Sequence, residues 1–400
     1  MKTLNKGNEM TRKIQIALGL MVLALGMAVS APARADEQQI QTGYVFDGWM
    51  SDSVQNGYEN RFPITYSFIR PNFAFRLGTA FVAGDYRQND VPAKGYIGSD
   101  FSASKLSDSD VGMSYRFDLG ESLKSQIDGN INIPTGDPSW EARQEQSGSI
   151  PYVFEPSFYH GRGWGMNLFY SMTSVNPGYE SSLGMGYVAT STYDTGLVGF
   201  GSYYPGDTLI VTGAVAFKMT GADALGFRAA HTFPLESVNA DPSEDFVAGQ
   251  SSIFSTQWVS KMGSDKLVVN ASYTLYNKGW QADLFVPSGT LIESPGSFLG
   301  DRLEIHPILG YVAGQDMTME SGLIWKRVFK NGYSFADTGL YQGGGNLFGV
   351  EQSVTFQLDK STFWNVAGLY HFIANDDMGQ NHETINYHRF TLGTNVGIKW

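Results

Sequence analysis

The chain contains no cysteine among its 400 residues. That excludes a disulfide scaffold, a thiolate metal site and a lipid-bearing cysteine. Charge is scarce as well: Asp, Glu, Lys and Arg make up 16% of the residues, against about a quarter in soluble domains. Beyond residue 36 no apolar run approaches the ~20 residues of a membrane-spanning helix, and mean hydropathy is -0.19. A polytopic helical membrane protein is therefore excluded. Disorder is excluded by the abundance of large rings, with 26 Phe, 21 Tyr and 8 Trp. What remains is a glycine-rich, aromatic-rich chain of low charge, long enough for one large domain or two small ones.

The first 35 residues read as an address. Met10-Thr11-Arg12-Lys13 opens with charge, Ile14 to Ser30 is largely apolar, and Ala33-Arg34-Ala35 offers small residues at a cleavage site. The pattern predicts a secretory signal over 1–35 and a single domain over 36–400, with cleavage near Ala35. Residues 1–9 read as an extension upstream of Met10. The signal region holds five of the 27 basic residues (Lys2, Lys6, Arg12, Lys13, Arg34) and one of the 39 acidic residues, Glu9. The remainder, 22 basic and 38 acidic, is net -16, which removes the electrostatic footprint of a nucleic-acid binder.

Beyond the signal the chain alternates with period two, as strands do. Phe348, Val350, Val354, Phe356 and Leu358 share a face opposite Gly349, Glu351, Ser353, Thr355 and Gln357. Val111, Met113, Tyr115 and Phe117 oppose Asp110, Gly112, Ser114 and Arg116. Residues 61–68, 208–219 and 266–277 repeat the pattern, with Ile210, Val268 and Tyr276 out of place. Turn signals at Asn56-Gly57, Pro71-Asn72, Pro177-Gly178, Pro205-Gly206, Gly263-Ser264, Lys278-Gly279, Asn331-Gly332 and Gly343-Gly344-Gly345 punctuate the runs. Longer polar connections are read at about 85–108, 134–151, 235–250, 288–300 and 375–385. No internal repeat stands out beyond this hairpin rhythm.

Many amphipathic antiparallel strands fit either a soluble sandwich or solenoid, or a transmembrane barrel with apolar faces toward lipid. Aromatic apolar faces and polar faces of Gly, Ala, Ser, Thr and isolated charges favour the barrel. The C-terminus adds to this. Phe390, Leu392, Val396, Ile398 and Trp400 share one face; Tyr387, Arg389, Thr391, Asn395 and Lys399 share the other. This resembles the terminal strand of bacterial outer-membrane barrels, which the assembly machinery recognises, with Trp400 where Phe is commoner. The expected fold is all-β: an antiparallel up-and-down transmembrane barrel of about 16 strands, within about 12 to 18. The last strand should close against the first near Gly43–Trp49. Counting hairpins from either end puts 288–300 on the short-turn side, which is long for such a turn.

If the register holds, Arg76, Arg116, Lys124, Asp128, Arg302, Glu304, Glu320, Lys326, Glu351 and Arg389 point into the lumen. They form either a charged constriction that selects solutes or a mutually paired filling. The histidines, His160, His231, His306, His371, His382 and His388, lack the converging partners of a metal site; only His382 and His388 are near in sequence. None has a serine two positions away, as a barrel hydrolase with both groups on one strand face would need. Asp376, Asp377 and His382 are the one candidate for rim catalysis, and the plainer reading of them is a solvated loop. The reading is a non-enzymatic passive channel without cofactor or metal, located in the bacterial outer membrane. Its partners are outer-membrane lipids, the barrel-assembly machinery and small solutes, not nucleic acid. The alternative is a closed barrel serving as a structural, adhesion or binding platform.

Ser109-Asp110-Val111-Gly112-Met113-Ser114-Tyr115-Arg116 leads through Gly129-Asn130-Ile131-Asn132-Ile133 into Pro134-Thr135-Gly136-Asp137. This strand pair and turn resemble the outer-membrane barrel family named for the MetA pathway of phenol degradation. The resemblance implies a channel for small solutes, aromatic or hydrophobic ones included. In mechanical terms Pro134 should end its strand and Gly136 should admit the turn.

Overall fold

The computed structural model describes residues 37–51, 55–88, 99–136, 163–191, 193–194, 202–204, 206–219, 222–235, 238–239, 246–247, 249–282, 291–293, 300–331, 344–375 and 386–400. The signal region, His160, Asp376, Asp377 and His382 lie outside the described residues. One sheet holds β1 (Glu37–Ser51), β2 (Gln55–Arg70), β3 (Phe73–Gln88), β4 (Ser99–Leu106), β5 (Ser109–Asp118) and β6 (Leu123–Ile133). It continues through β7 (Gly165–Val175), β8 (Tyr179–Thr190), β9 (Thr208–Lys218), β10 (Asp223–Pro234), β11 (Ser251–Met262) and β12 (Asp265–Tyr276). It ends with β13 (Arg302–Val312), β14 (Met317–Val328), β15 (Gly345–Gln357), β16 (Thr362–Asn375) and β17 (Asn386–Lys399).

Apart from β4 and β5, which both pair with β3, every neighbour in this order is antiparallel, and β17 pairs with β1, Asn395 opposite Gly43 and Arg389 opposite Trp49. Closure leaves no open edge, which the hydrocarbon interior of a membrane demands. Strands β4 and β5 together form one stave. Both pair with β3, Leu106 opposite Phe81 and Asp110 opposite Gly78, so one extra residue is inserted between them. This is a β-bulge. Ser107 accepts the Ala80 N–H with its Oγ at 3.0 Å and donates its own N–H to the Ala80 carbonyl at 2.7 Å. The barrel thus has 16 staves.

The bulge corrects the expected 85–108 connection, of which 85–88 and 99–106 are strand. Its extra residue moves the outward set from even numbers, as at Leu106, to odd ones, from Val111 on. That break in period reads as a loop. Asn56-Gly57 is corrected too: it lies inside β2. Seven connections of two to four residues, such as 71–72 and 263–264, occupy one rim. Gly263 takes the 263–264 turn with φ +70°, which favours glycine. The connection 277–301 lies on the opposite, long-connection rim, so the placing of 288–300 among the short turns is also corrected. Gly206, Lys278-Gly279, Asn331 and Gly344-Gly345 fall on or beside that rim, and Pro205, Gly332 and Gly343 lie outside the described residues. Two three-stranded sheets there tie neighbouring connections: 193–194 with 202–204 and 238–239, and 246–247 with 280–282 and 291–293.

Which face is the lumen follows from convergence. His306 on β13 reaches Glu351 on β15 at 2.7 Å, bridging over β14. Two strand spacings are about 9.5 Å, so such side chains meet only on a concave face. The alternate positions form the convex face, and they carry the exposed apolar belt: Leu183, Met185, Leu323, Phe348, Val350 and Leu392 are all more than half exposed. A closed barrel with such a belt is a transmembrane barrel of the outer-membrane type. Ile210, Val268 and Tyr276, out of place in the sequence pattern, share registers with the inward residues of their neighbours. Phe73 and Met113, with Phe68, Phe75 and Tyr115, form a packed aromatic patch on the outer face beside the 71–72 turn.

Candidate functional site

The lumen has two unlike walls. The first runs from β13 through β17 and across the seam to β2. Arg389 Nε donates to Asp47 Oδ1 at 2.8 Å, and its Nη2 pairs with Oδ2 of the same carboxylate. Thr391 Oγ1 donates to Asp47 Oδ1 at 3.2 Å. Arg61 reaches Asp47 at 3.5 Å and Glu59 at 3.2 Å. Two guanidinium groups and two carboxylates from three staves make a charge-balanced square. Its members Arg61, Asp47 and Glu59 are 3%, 5% and 6% exposed. His371 stands opposite Arg389 in register, its ring packed over Gly349. The strip continues in His306–Glu351 and in Lys326–Glu304 at 4.0 Å. Glycines make room for it: a Cβ at Gly322 would collide with Glu351, and one at Gly349 with His371.

The second wall, β8 to β12, is built of small side chains. It carries a cavity of about 530 Å³ lined by Ser182, Ala214, Ala216, Gly226, Ser255 and Ser272 among others. Arg228, midway along β10, lines this cavity and is exposed. Glu180 lines it too and pairs with Lys218 at 3.8 Å.

The ten charged positions singled out in the sequence distribute as follows. Arg76 lies 3.8 Å from Asp110, both well exposed. Arg116 Nε donates to Gln126 at 2.7 Å, and Gln126 donates onward to Asp128 at 2.7 and 2.8 Å. Lys124 stands between Asp118 and Thr173 in register. Arg302 lies over the Tyr276 ring at 5.5 Å. Glu320 stands between Gly310 and Ser353 in register. Glu304, Lys326, Glu351 and Arg389 belong to the first wall. Of the C-terminal apolar row, Phe390, Leu392, Val396, Ile398 and Trp400 are each between 39% and 58% exposed. Asp47, Glu59, Arg61 and Arg228 were not singled out, and His306 and His371 were weighed only as metal ligands or catalytic groups. Their alternation is visible in sequence, but pairing across 342 residues, as between Asp47 and Arg389, needs the closed register.

A structural repeat escaped the sequence as well. Tyr187 hydrogen-bonds Asp207, whose other oxygen accepts the Thr190 N–H at 3.2 Å. Tyr273 donates to Asp301 at 3.2 Å, and the Tyr276 N–H to the same carboxylate at 2.9 Å. At the intervening hairpin His231 takes the ring position. It bonds Gln250 at 3.2 Å and Ser252 at 2.8 Å, while Pro234 has no N–H to offer. Trp164, Asp207, Gln250 and Asp301 each follow a glycine, and each accepts a backbone N–H from beyond the next hairpin, of Ser191, Leu235, Asn277 and Phe329. These latches fasten the long-connection rim from β7 to β14. They explain why His231 meets a serine without any need for catalysis.

The Pro-Thr-Gly-Asp turn has a similar task. Strand β6 ends at Ile133, directly before Pro134. Thr135 Oγ1 donates to the Ser107 carbonyl at 2.7 Å, and Asp108 accepts the Gly136 N–H and the Asn132 amide at 2.9 Å each. The turn locks onto the bulge. Among the described residues no group of three His, Asp or Glu could hold a metal.

Charge separates the rims. The connections on the long-connection rim, the three residues 52–54 included, hold nineteen acidic and five basic residues by sequence, and the seven short turns of the other rim hold three and one. In the turn at 358–361, the Ser361 hydroxyl and the Ser361 and Thr362 N–H groups donate to Asp359. These bonds hold its carboxyl below the usual range.

No protein-family model matches the chain, and no curated protein matches it. Among solved structures, Acinetobacter baumannii OccAB4 is similar with a TM-score of 0.44 at 9% identity, over 92% of this chain and 99% of that one. Pseudomonas aeruginosa OpdQ matches with a TM-score of 0.44 at 9% identity, over 92% and 100%. The CymD monoaromatic hydrocarbon channel matches with a TM-score of 0.43 at 9% identity, over 96% and 93%.

Proposed function

We propose that the chain is an outer-membrane channel through which small solutes pass passively, without cofactor or catalysis. The cavity along the small-residue wall carries this reading. A barrel meant only as a scaffold gains by filling its lumen, yet β8 to β12 present Ser, Ala, Gly and Thr where large side chains would fit. The inward charges, Arg76, Arg116, Lys124, Asp128, Arg302, Glu304, Glu320, Lys326, Glu351 and Arg389, then act on the passing solute or hold the wall that shapes its path. Phe169, whose ring lies against Gly184 and Gly186, offers a stacking face, which suits the aromatic solutes implied by the resemblance at 109–137. The test is conductance of the purified protein in planar bilayers, with solute-driven swelling of liposomes. Stepwise conductance and swelling with small sugars or phenols are expected. A folded barrel that gives neither would overturn the channel reading.

The cross-linked square of Asp47, Glu59, Arg61 and Arg389 favours a second reading, a closed barrel acting as a platform, and absence of conductance would select it. Delivery is part of the proposal. Residues 1–35 direct secretion, with cleavage near Ala35, and the row ending at Trp400 is read by the assembly machinery. Deleting Trp400 should slow insertion more than it lowers final stability; an unchanged insertion rate would make the terminal ring incidental.

A further inference from the structure

The cavity on the second wall contains one feature that a neutral water path does not need. Arg228 projects from the middle of β10 among Ala214, Ala216, Gly226 and Ser255. Ala214 and Ser255 are its cross-strand partners, too short to reach its guanidinium with an acceptor charge. Every other lumen arginine described above has a carboxylate, an amide or an aromatic ring against it. Among the described residues Arg228 has none. The acids on the same lining are already compensated, Glu180 by Lys218 and Glu304 by Lys326. The cavity therefore carries one uncompensated positive charge.

We infer that Arg228 is the anchor of an anion subsite in the lumen, taking small solutes that carry a carboxylate or phosphate group. This rests on the channel reading. A guanidinium presents a planar fork of donors that matches two oxygens of such a group, and it stays charged at any working pH. The small neighbours leave the fork free and leave room, about 530 Å³, for the body of the solute. The acidic rim does not cancel the site. Arg228 lies six residues from the end of β10 at Pro234. That is about 20 Å along a tilted strand and about 15 Å along the barrel axis, beyond the ~8 Å over which charge is felt at physiological salt. The rim repels anions at the mouth, and the subsite holds those that enter.

The test uses the full-length protein in planar bilayers, with inorganic phosphate as the probe. Wild type should show a saturable reduction of its KCl current as phosphate is added. In Arg228→Gln the half-effective phosphate concentration should rise at least about tenfold, and the reversal potential in a KCl gradient should shift toward cation selectivity. Arg228→Lys should fall between the two. Ala214→Glu, which sets a carboxylate opposite Arg228 and leaves the arginine in place, should lose the phosphate effect as Arg228→Gln does. It serves independently if that variant fails to fold. Lys360→Gln, in a short turn, should behave as wild type. A conducting wild type without a phosphate effect overturns the subsite, as does an Arg228→Gln response within about twofold of wild type. Absence of conductance in every variant overturns the channel reading itself, and the subsite with it.

Discussion

The wall around the seam and the wall from β8 to β12 face the same lumen and are built by opposite choices. Around the seam, long charged side chains are buried against one another, each carboxylate meeting a guanidinium, lysine or imidazole and glycines clearing space beneath. Across from it, short hydroxyls and methyls leave a cavity into which Arg228 brings the one charge without a partner among the described residues. Burying ions costs several kcal/mol each and is tolerated only where geometry and hydrogen bonds offset it. The seam is also where the first and last strands must find each other. A charge network spanning β17, β1 and β2 ties together residues far apart in sequence and penalises a slipped register. The opposite wall, joined by local hairpins and fastened by the rim latches, needs no such device and is free to stay open.

The largest expected effect comes from breaking the seam network on one side only. Arg389→Ala should lower unfolding stability by about 3–5 kcal/mol, since Asp47 is left buried with an incomplete set of partners. Urea unfolding in lipid vesicles, followed by tryptophan fluorescence, reads this directly. A loss below about 1 kcal/mol would mean the network is decoration. Next in size is a charge on the outer belt. Leu392→Arg, midway along the lipid face of β17, should cost about 2–4 kcal/mol, and Thr391→Arg, one residue earlier but inward, should cost clearly less. Equal costs would invert the facing. On the opposite wall Ala216→Leu should leave stability within about 0.5 kcal/mol while reducing conductance, because it fills space that is open rather than packed. A stability change without a conductance change would reverse the assignment of the two walls.

The smallest effect lies outside the barrel. Asp359 keeps its carboxyl below the ordinary range through bonds from Ser361 and Thr362. Its contribution is present above the unfolded value of about 3.9 and is lost as pH falls through the lower folded value. Asp359→Asn should therefore narrow the stability difference between neutral and strongly acid pH. Urea midpoints at the two pH values check it, and an unchanged difference would remove the role.

Much of this was legible in sequence where alternation is unbroken. Strands β5, β15 and β17 show their inward and outward rows residue by residue, because an apolar belt allows few exceptions. The bulge at Ser107-Asp108 was not legible, since one extra residue reverses the parity and the polar stretch around it mimics a connection. The rim latches were not legible because the same position is Tyr187, His231 or Tyr273, and its acceptor Asp207, Gln250 or Asp301. Geometry is conserved among them, not residue type. The seam square needs closure of the barrel, which no local pattern reports. Arg228 is a different case. The alternation of Leu225, Phe227, Ala229 and His231 against Ala224, Gly226, Arg228 and Ala230 places it inward, but only the unoccupied wall around it distinguishes it from other inward charges.

The central claim is that the lumen is filled on one side and water-accessible on the other. With no native cysteine, single substitutions test it cleanly in the folded protein. Ser272→Cys on the small-residue wall, Thr391→Cys within the seam network and Leu392→Cys on the lipid face are each treated with a membrane-impermeant maleimide. The two-wall lumen predicts fast labelling at 272, slow labelling at 391 and protection at 392, with conductance falling as 272 reacts. Protection at 272 equal to that at 392 would contradict it.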